Sequence, residues 1–142
     1  MKSRVLRTGS WLLRLDKGEE LIGSLTDFAE KEKFGFACVS GIGAASRATL
    51  AVFDTKKKKY TERDFKGDLE IVSLSGNITR LETRNGKPRA HLHCCIAGRD
   101  NSAFAGHLVS AEISVTCEIV IRAYKVKVER KKDEETGLML ID

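Results

Sequence analysis

Three histidines are the residues of this chain whose type and spacing best suit chemistry, and the 142 residues contain no others. His91 and His93 lie two apart on a predicted strand, so they share one face, with Cα atoms roughly 6.5–7 Å apart. The residues after them predict a hairpin centred on Asp100, which places His93 opposite His107 on the next strand. A bulge would shift that pairing by one residue.

Three neutral imidazoles on one sheet face can hold a metal ion and leave one coordination position open. That arrangement is typical of catalytic rather than structural zinc, and zinc is the divalent ion we expect. Imidazole also binds iron, nickel, copper and cobalt, so the residues alone do not fix the metal. The alternative is a hydrogen-bonded histidine cluster at a strand edge or a subunit interface.

Glu70 is the candidate acid or base near these histidines. It begins the strand Glu70–Gly76, whose Val72 and Leu74 share its face, so we expect it to point inward. A buried carboxylate needs a partner. Glu70 could be a fourth metal ligand, an acceptor for a histidine N–H or a general base, or it could be an exposed residue at the end of a strand.

Two further segments have patterns that suggest binding. Gly41–Ala45 has a G-x-G pattern but lacks a third glycine and a following helix, so we interpret it as a tight loop that another backbone approaches closely. Lys56, Lys57, Lys58 and Lys59 form a predicted hairpin tip, which is either a solvated turn or a weak contact for nucleic-acid phosphates.

One helix is clear from the pattern. Asp16 and Glu19 have capping-box spacing, and an apolar stripe with helical periodicity follows them. Gly35 can end this helix. The predicted strands are Trp11–Leu15, Phe36–Ser40, Ala48–Asp54, Tyr60–Phe65, Leu69–Ile78, His91–Ala97, Phe104–Val109 and Ile113–Val128, with turns at Asn85–Gly86 and Asp100–Asn101.

One helix among about eight strands joined by short turns predicts an α+β fold with a largely antiparallel sheet. A single domain is expected from Ser3 to Arg130. The charge run Glu129–Glu135 is expected to leave the fold, and residues 131–142 are interpreted as a charged and apolar C-terminal tail.

Composition narrows the protein class. The chain has 25 Lys and Arg against 20 Asp and Glu, a net charge of +5, which permits contact with polyanions without requiring it. No apolar stretch is long enough to span a bilayer, and no secretory signal is visible, so we expect no membrane partner. The four cysteines form no C-x-x-C pair, which favours a cytoplasmic protein with reduced thiols.

Several motifs together resemble one family. The chain is similar, in order, to the plant-and-prokaryote conserved (PPC) domain family at Val39–Ala45, Gly67–Gly76, Asn85–Pro88, His91–His93 and Gly106–Leu108. The resemblance spans about Val5 to Lys127. It implies an antiparallel sheet packed with a helix, a homotrimer, and a metal-binding triad carried over onto His91, His93 and His107.

The same resemblance suggests possible functions. The resemblance implies a superfamily that also includes acetolactate decarboxylase, whose metal site has an H-x-H…H pattern. In plant members the domain follows AT-hooks and belongs to DNA-binding regulators. No AT-hook is present here, so any DNA contact must come from the domain surface. Ala105 stands where members often carry glycine, and only a positive φ there would disturb the backbone.

Three functions remain open from the sequence. The first is a trimeric metal-binding module with a regulatory or DNA-associated role. The second is a metal-dependent lyase or hydrolase acting on a small carbonyl or carboxylate, with Glu70 as proton carrier and Arg80 or Arg89 binding a carboxylate. The third is a structural, ligand-binding trimer.

Overall fold

The computed structural model of the chain describes residues 1–82 and 86–142, most of which are strand. Within them, the α+β prediction of one helix with a mostly antiparallel sheet is confirmed. The elements follow the order β1 Lys2–Arg7, β2 Ser10–Asp16, α1 Leu21–Glu32, β3 Phe36–Asp54, β4 Lys59–Leu81, β5 Pro88–Ala97, β6 Ala103–Tyr124, β7 Glu129–Lys132 and β8 Met139–Ile141.

The strands pair in the order β1-β2-β6-β3-β4-β7-β8, and β5 pairs with both β4 and β6. Because β3 also pairs with β4 and β6, these four strands close a ring of backbone hydrogen bonds. All pairs are antiparallel except β4 with β7. Closure places β5 between two long strands, which fixes the backbone that carries His91 and His93.

Strands β3, β4 and β6 each join two predicted strands into one. Gly41–Ala45 was expected to be a loop, and that prediction is wrong, because β3 runs through it without interruption. The expected close approach is confirmed. A Cβ on Gly43 would lie 2.5 Å from the Thr116 carbonyl oxygen and 2.6 Å from the Cys117 Cα. The glycines therefore let β6 pack against β3.

Helix α1 covers one end of the sheet with its apolar stripe of Leu21, Leu25, Phe28 and Ala29, all fully buried or nearly so. The predicted cap needs correction. Glu20, not Asp16, caps the helix, since its carboxylate accepts from the Ile22 and Gly23 backbone N–H groups. Glu19 instead accepts from the Asp16 N–H. The helix ends at Lys33 in the left-handed conformation, not at Gly35. No helix among the described residues is long and apolar enough to cross a membrane.

The charge run at residues 129–135 does not leave the fold as expected. Glu129–Lys132 forms β7, which pairs with β4, and Met139–Ile141 forms β8, which pairs with β7. Arg130 is 5% exposed, because its side chain points under the hairpin into the sheet. We call residues 129–141 the C-terminal hairpin.

Candidate metal centre

The histidines converge as their spacing predicts. His91 and His93 lie on β5 and His107 on β6, and His93 pairs directly with His107. The turn between the two strands is confirmed, with the Asn101 N–H donating to the Gly98 carbonyl. The three rings have centroids 5.0–5.7 Å apart. One nitrogen from each ring lies within 4.8 Å of the others, a spacing that one ion can bridge.

The chemistry of the three rings fits a metal ion. Burial, followed by the charge of Arg130, lowers the pKa of His91 to about 4. Burial also lowers the pKa of His107. These two imidazoles are therefore neutral near pH 7, the state in which a ring nitrogen can ligate a metal. Nδ1 of His107 is buried without a hydrogen-bond partner among the described residues, which is costly unless something binds it.

Arg130 of the C-terminal hairpin lies against His91. Its guanidinium donates to the Thr79 hydroxyl, the Asn77 side-chain oxygen and the Met139 carbonyl. The Nη2 atom of Arg130 lies 2.9 Å from Nδ1 of His91. Sequence reasoning missed this residue, because an arginine inside a charge run is ordinarily solvated. Its pairing with the short polar side chains of β4 is visible only once the strands are placed.

A pocket of about 240 Å³ opens beside the triad. Its lining combines histidine, arginine and tyrosine side chains with the far arm of the C-terminal hairpin: Tyr60, Arg89, His91, His107, Arg130, Gly137, Leu138, Met139 and Leu140. The Tyr60 ring stacks on His107 at 5.0 Å. A small molecule in this pocket would touch His91, His107 and both arginines.

Comparison with known proteins identifies the family. The family model of the Plants and Prokaryotes Conserved (PCC) domain matches residues 5–125. The chain belongs to this family. This is the family that the sequence analysis calls PPC. The matched range includes all three histidines. No curated protein matches the chain.

Solved structures agree with this assignment. A candidate DNA-binding protein from Bacteroides thetaiotaomicron is 28% identical, with a TM-score of 0.92 over 99% of this chain and 96% of that one. A metal-containing protein from Archaeoglobus fulgidus is 35% identical, with a TM-score of 0.86 over 99% and 96%. Acetolactate decarboxylase from Bacillus subtilis is 16% identical, with a TM-score of 0.58 over 87% of this chain and 57% of that one. This last match shows a shared fold only.

Glu70 of this PCC domain does not point inward as expected. A bulge between Ile71 and Ser73 reverses the alternation of β4, so Glu70 and Val72 are exposed while Ile71 is buried. Glu70 pairs with Ala97, and Ser75 is the residue opposite His93. Within one chain, five residues of strand place Glu70 about 16 Å from the triad. Its role as proton carrier stays a prediction.

The other candidate binding residues of the PCC domain, Lys56–Lys59 and Arg80, differ in whether their side chains are free to bind a ligand. The hairpin tip at Lys56–Lys59 is confirmed, with Asp54 accepting from the Lys56 and Lys57 N–H groups, and the four lysines are exposed. Arg80 is not free to bind a substrate, because its guanidinium donates to the Phe34 and Gly86 carbonyls and pairs with Glu30.

Two expectations about backbone remain. Ala105 has no positive φ, so its replacement of glycine leaves the strand regular. The predicted turn at Asn85–Gly86 lies partly outside the described residues, which end at Glu82 and resume at Gly86.

Proposed function

We propose that this chain is a stand-alone PCC-domain protein that binds one divalent metal ion, zinc, through His91, His93 and His107. The observation that carries the proposal is the convergence of three ring nitrogens within 4.8 Å, one of them on a ring whose Nδ1 is buried without a partner in the described part of the chain. A metal-containing relative with 35% identity supports it. An ion held by these three residues would supply Lewis-acid chemistry.

Metal analysis of purified protein resupplied with zinc tests this proposal. We expect one zinc per chain in the wild type and less than a tenth of that in His93→Ala. Cys95→Ser is the matched control, because it alters a neighbouring potential ligand on the same strand, and it should keep full occupancy. Equal zinc in the wild type and His93→Ala, or none in the wild type, would contradict the proposal.

We further propose that the protein is a cytoplasmic homotrimer. The four cysteines are free, with Cys94 and Cys117 buried, as expected of a reduced compartment. Ile42, Val72 and Val115 are 53–69% exposed and line one groove of the outer sheet face. An exposed apolar groove of this kind is typical of a surface that another copy covers.

As the function of this protein in the cell, we favour a regulatory role that involves DNA. It is supported by the candidate DNA-binding relative and by the four exposed lysines at the β3–β4 tip. We expect weak binding without sequence preference that weakens steeply with salt, because it rests on counterion release. Fluorescence anisotropy with two unrelated duplexes, with and without Lys57→Gln/Lys58→Gln, measures this. Sequence-selective binding that persists at high salt would contradict it.

A metal-dependent enzyme is the alternative function, and the pocket beside the triad favours it. In that role Glu70 would have to reach the histidines of a neighbouring subunit. The test follows a panel of small carbonyl and carboxylate compounds by NMR with the zinc-loaded protein. Turnover that is lost in both His93→Ala and Glu70→Gln, and kept in Glu62→Gln, would favour the enzyme over the binding module.

A further inference from the structure

Arg130 is a buried charge that has no counter-ion among residues 1–82 and 86–142. Arg130 is 5% exposed. The groups that accept its hydrogen bonds are a hydroxyl, a side-chain amide, a backbone carbonyl and an imidazole. No ion pair in the described part of the chain involves it. Buried arginines are ordinarily paired with a carboxylate, because an isolated buried charge is strongly disfavoured. An anion from outside the chain would compensate this charge.

The charged residues that line the pocket, Arg89 and Arg130, are both positive. Arg89 lines the same pocket, and its side chain forms no hydrogen bond or ion pair among residues 1–82 and 86–142. The charges that act on His91 and His107 are those of arginines and of other histidines, and no carboxylate is among them. A divalent ion on the histidines would add two more positive charges. Such a site attracts an anion and repels further cations.

Metal binding at His91 would leave Arg130 with one partner fewer. Arginine can only donate, so in the present contact His91 Nδ1 accepts, and the proton of the neutral ring lies on Nε2. A ligand bond from Nε2 requires that proton to move to Nδ1, which can then no longer accept. A ligand bond from Nδ1 uses the same lone pair. With either nitrogen, the guanidinium loses this acceptor and has a free N–H facing the pocket.

We propose that Arg130 and Arg89 bind the carboxylate of a small organic anion in the pocket beside the triad. This deepens the metal proposal and rests on it for the additional charge, although the two arginines would attract the anion without metal. The lining favours an organic over an inorganic anion, because Leu138, Leu140 and the Tyr60 ring offer apolar surface to a short carbon chain. Charge-assisted and bidentate bonds from arginine suit a carboxylate.

Calorimetric titration of the zinc-loaded and the metal-free protein with butyrate tests the proposal. Butyramide is the neutral isostere, and inorganic phosphate is the inorganic anion. The chelator is removed by gel filtration first, since chelators are themselves carboxylates. We expect butyrate to bind at least tenfold more tightly than butyramide or phosphate, and more weakly without zinc. Charged hydrogen bonds of 1.5–3 kcal/mol correspond to roughly 10- to 100-fold in affinity.

Variants assign the binding to the two arginines. Arg89→Gln changes an exposed side chain and should lower butyrate affinity about tenfold or more with zinc content unchanged. Arg130→Gln should do the same, and its fold is checked by circular dichroism. Arg122→Gln, an exposed arginine elsewhere on β6, is the matched control and should bind like the wild type.

The outcomes separate this proposal from the metal proposal. Butyramide or phosphate binding as tightly as butyrate, or unaltered butyrate affinity in Arg89→Gln, would overturn it. Zinc binding without butyrate binding would overturn this proposal alone. Butyrate binding that needs Arg89 in a protein that takes up no zinc would support it while the metal proposal fails.

Discussion

His91 faces the pocket from β5, and its environment disfavours its charged form. Burial and then Arg130 lower its pKa from 6.5 to about 4. Between these two values the unfolded state binds a proton that the folded state does not, so the metal-free protein loses stability as the pH falls from about 6.5 to about 4. Below that range His91 is charged in both states, and its contribution no longer changes with pH.

Urea denaturation of the metal-free protein at a series of pH values checks this prediction. Carboxylates also titrate in the acid range, so the informative quantity is the difference between the wild type and His91→Asn. The variant should show a shallower loss of unfolding free energy across this range. The same pH slope in both proteins would show that His91 is not held neutral by the fold.

The histidine triad could be predicted from the sequence because its geometry is local. Two residues lie on one strand, and one tight turn with a Gly98–Asn101 hydrogen bond brings the third opposite His93. Arg130 could not be predicted, since it reaches the triad from a separate hairpin by way of Asn77 and Thr79. The predicted orientation of Glu70 is wrong because β4 contains a bulge between Ile71 and Ser73. The sequence carries no clear signal for that bulge.

Arg80 on β4 connects this strand to the end of helix α1 through hydrogen bonds and an ion pair. Its guanidinium donates to the Phe34 carbonyl at 2.7 and 3.0 Å and pairs with Glu30 on the helix at 2.9 Å. Arg80→Ala would leave buried carbonyl oxygens without donors, so we expect a loss of about 2–4 kcal/mol in unfolding free energy. Chemical denaturation measures it. Arg122→Ala is the exposed control, and a loss in Arg80→Ala no larger than in this control would contradict the assignment.

Strands β3 and β6 depend on glycine where their backbones meet. Gly43→Ala would place a Cβ 2.5–2.8 Å from atoms of Thr116 and Cys117, and backbone there cannot move aside cheaply. We expect a loss of about 2–4 kcal/mol in unfolding free energy or failure to fold. In Gly98→Ala the nearest atom would be 3.5 Å away, so this control should lie within about 0.5 kcal/mol of wild type. Equal stability of the two variants would contradict the close approach.

The same glycines explain why strand boundaries were hard to predict. G-x-G is ordinarily a loop signal, and here it permits close packing inside a 19-residue strand. The helix could be predicted more easily, because its apolar stripe is periodic. Its cap could not, since the spacing indicates Asp16 and the structure has Glu20. The C-terminal hairpin could not be predicted, because seven charged residues in a row, Glu129–Glu135, conceal the alternation that buries Arg130.

For the whole molecule, the groove around Ile42, Val72 and Val115 should be covered in a homotrimer. Light scattering after size exclusion should give about three times the 15.7 kDa chain mass. Val115→Asp should lower that mass, because a charge in an apolar interface is not compensated. Val5→Asp changes an equally exposed valine on the edge strand β1 and should remain trimeric. A wild-type monomer at micromolar concentration would contradict the prediction.

X-ray absorption at the zinc edge of the zinc-loaded protein shows whether His91, His93 and His107 bind the metal. We expect nitrogen ligands at roughly 2.0–2.1 Å, with the multiple-scattering signature of three imidazoles and one further oxygen or nitrogen ligand. His93→Ala should lose that signature. Sulfur ligands at roughly 2.3 Å, which would point to Cys94 or Cys95, would contradict a three-histidine site, and so would a spectrum of zinc surrounded only by water oxygens.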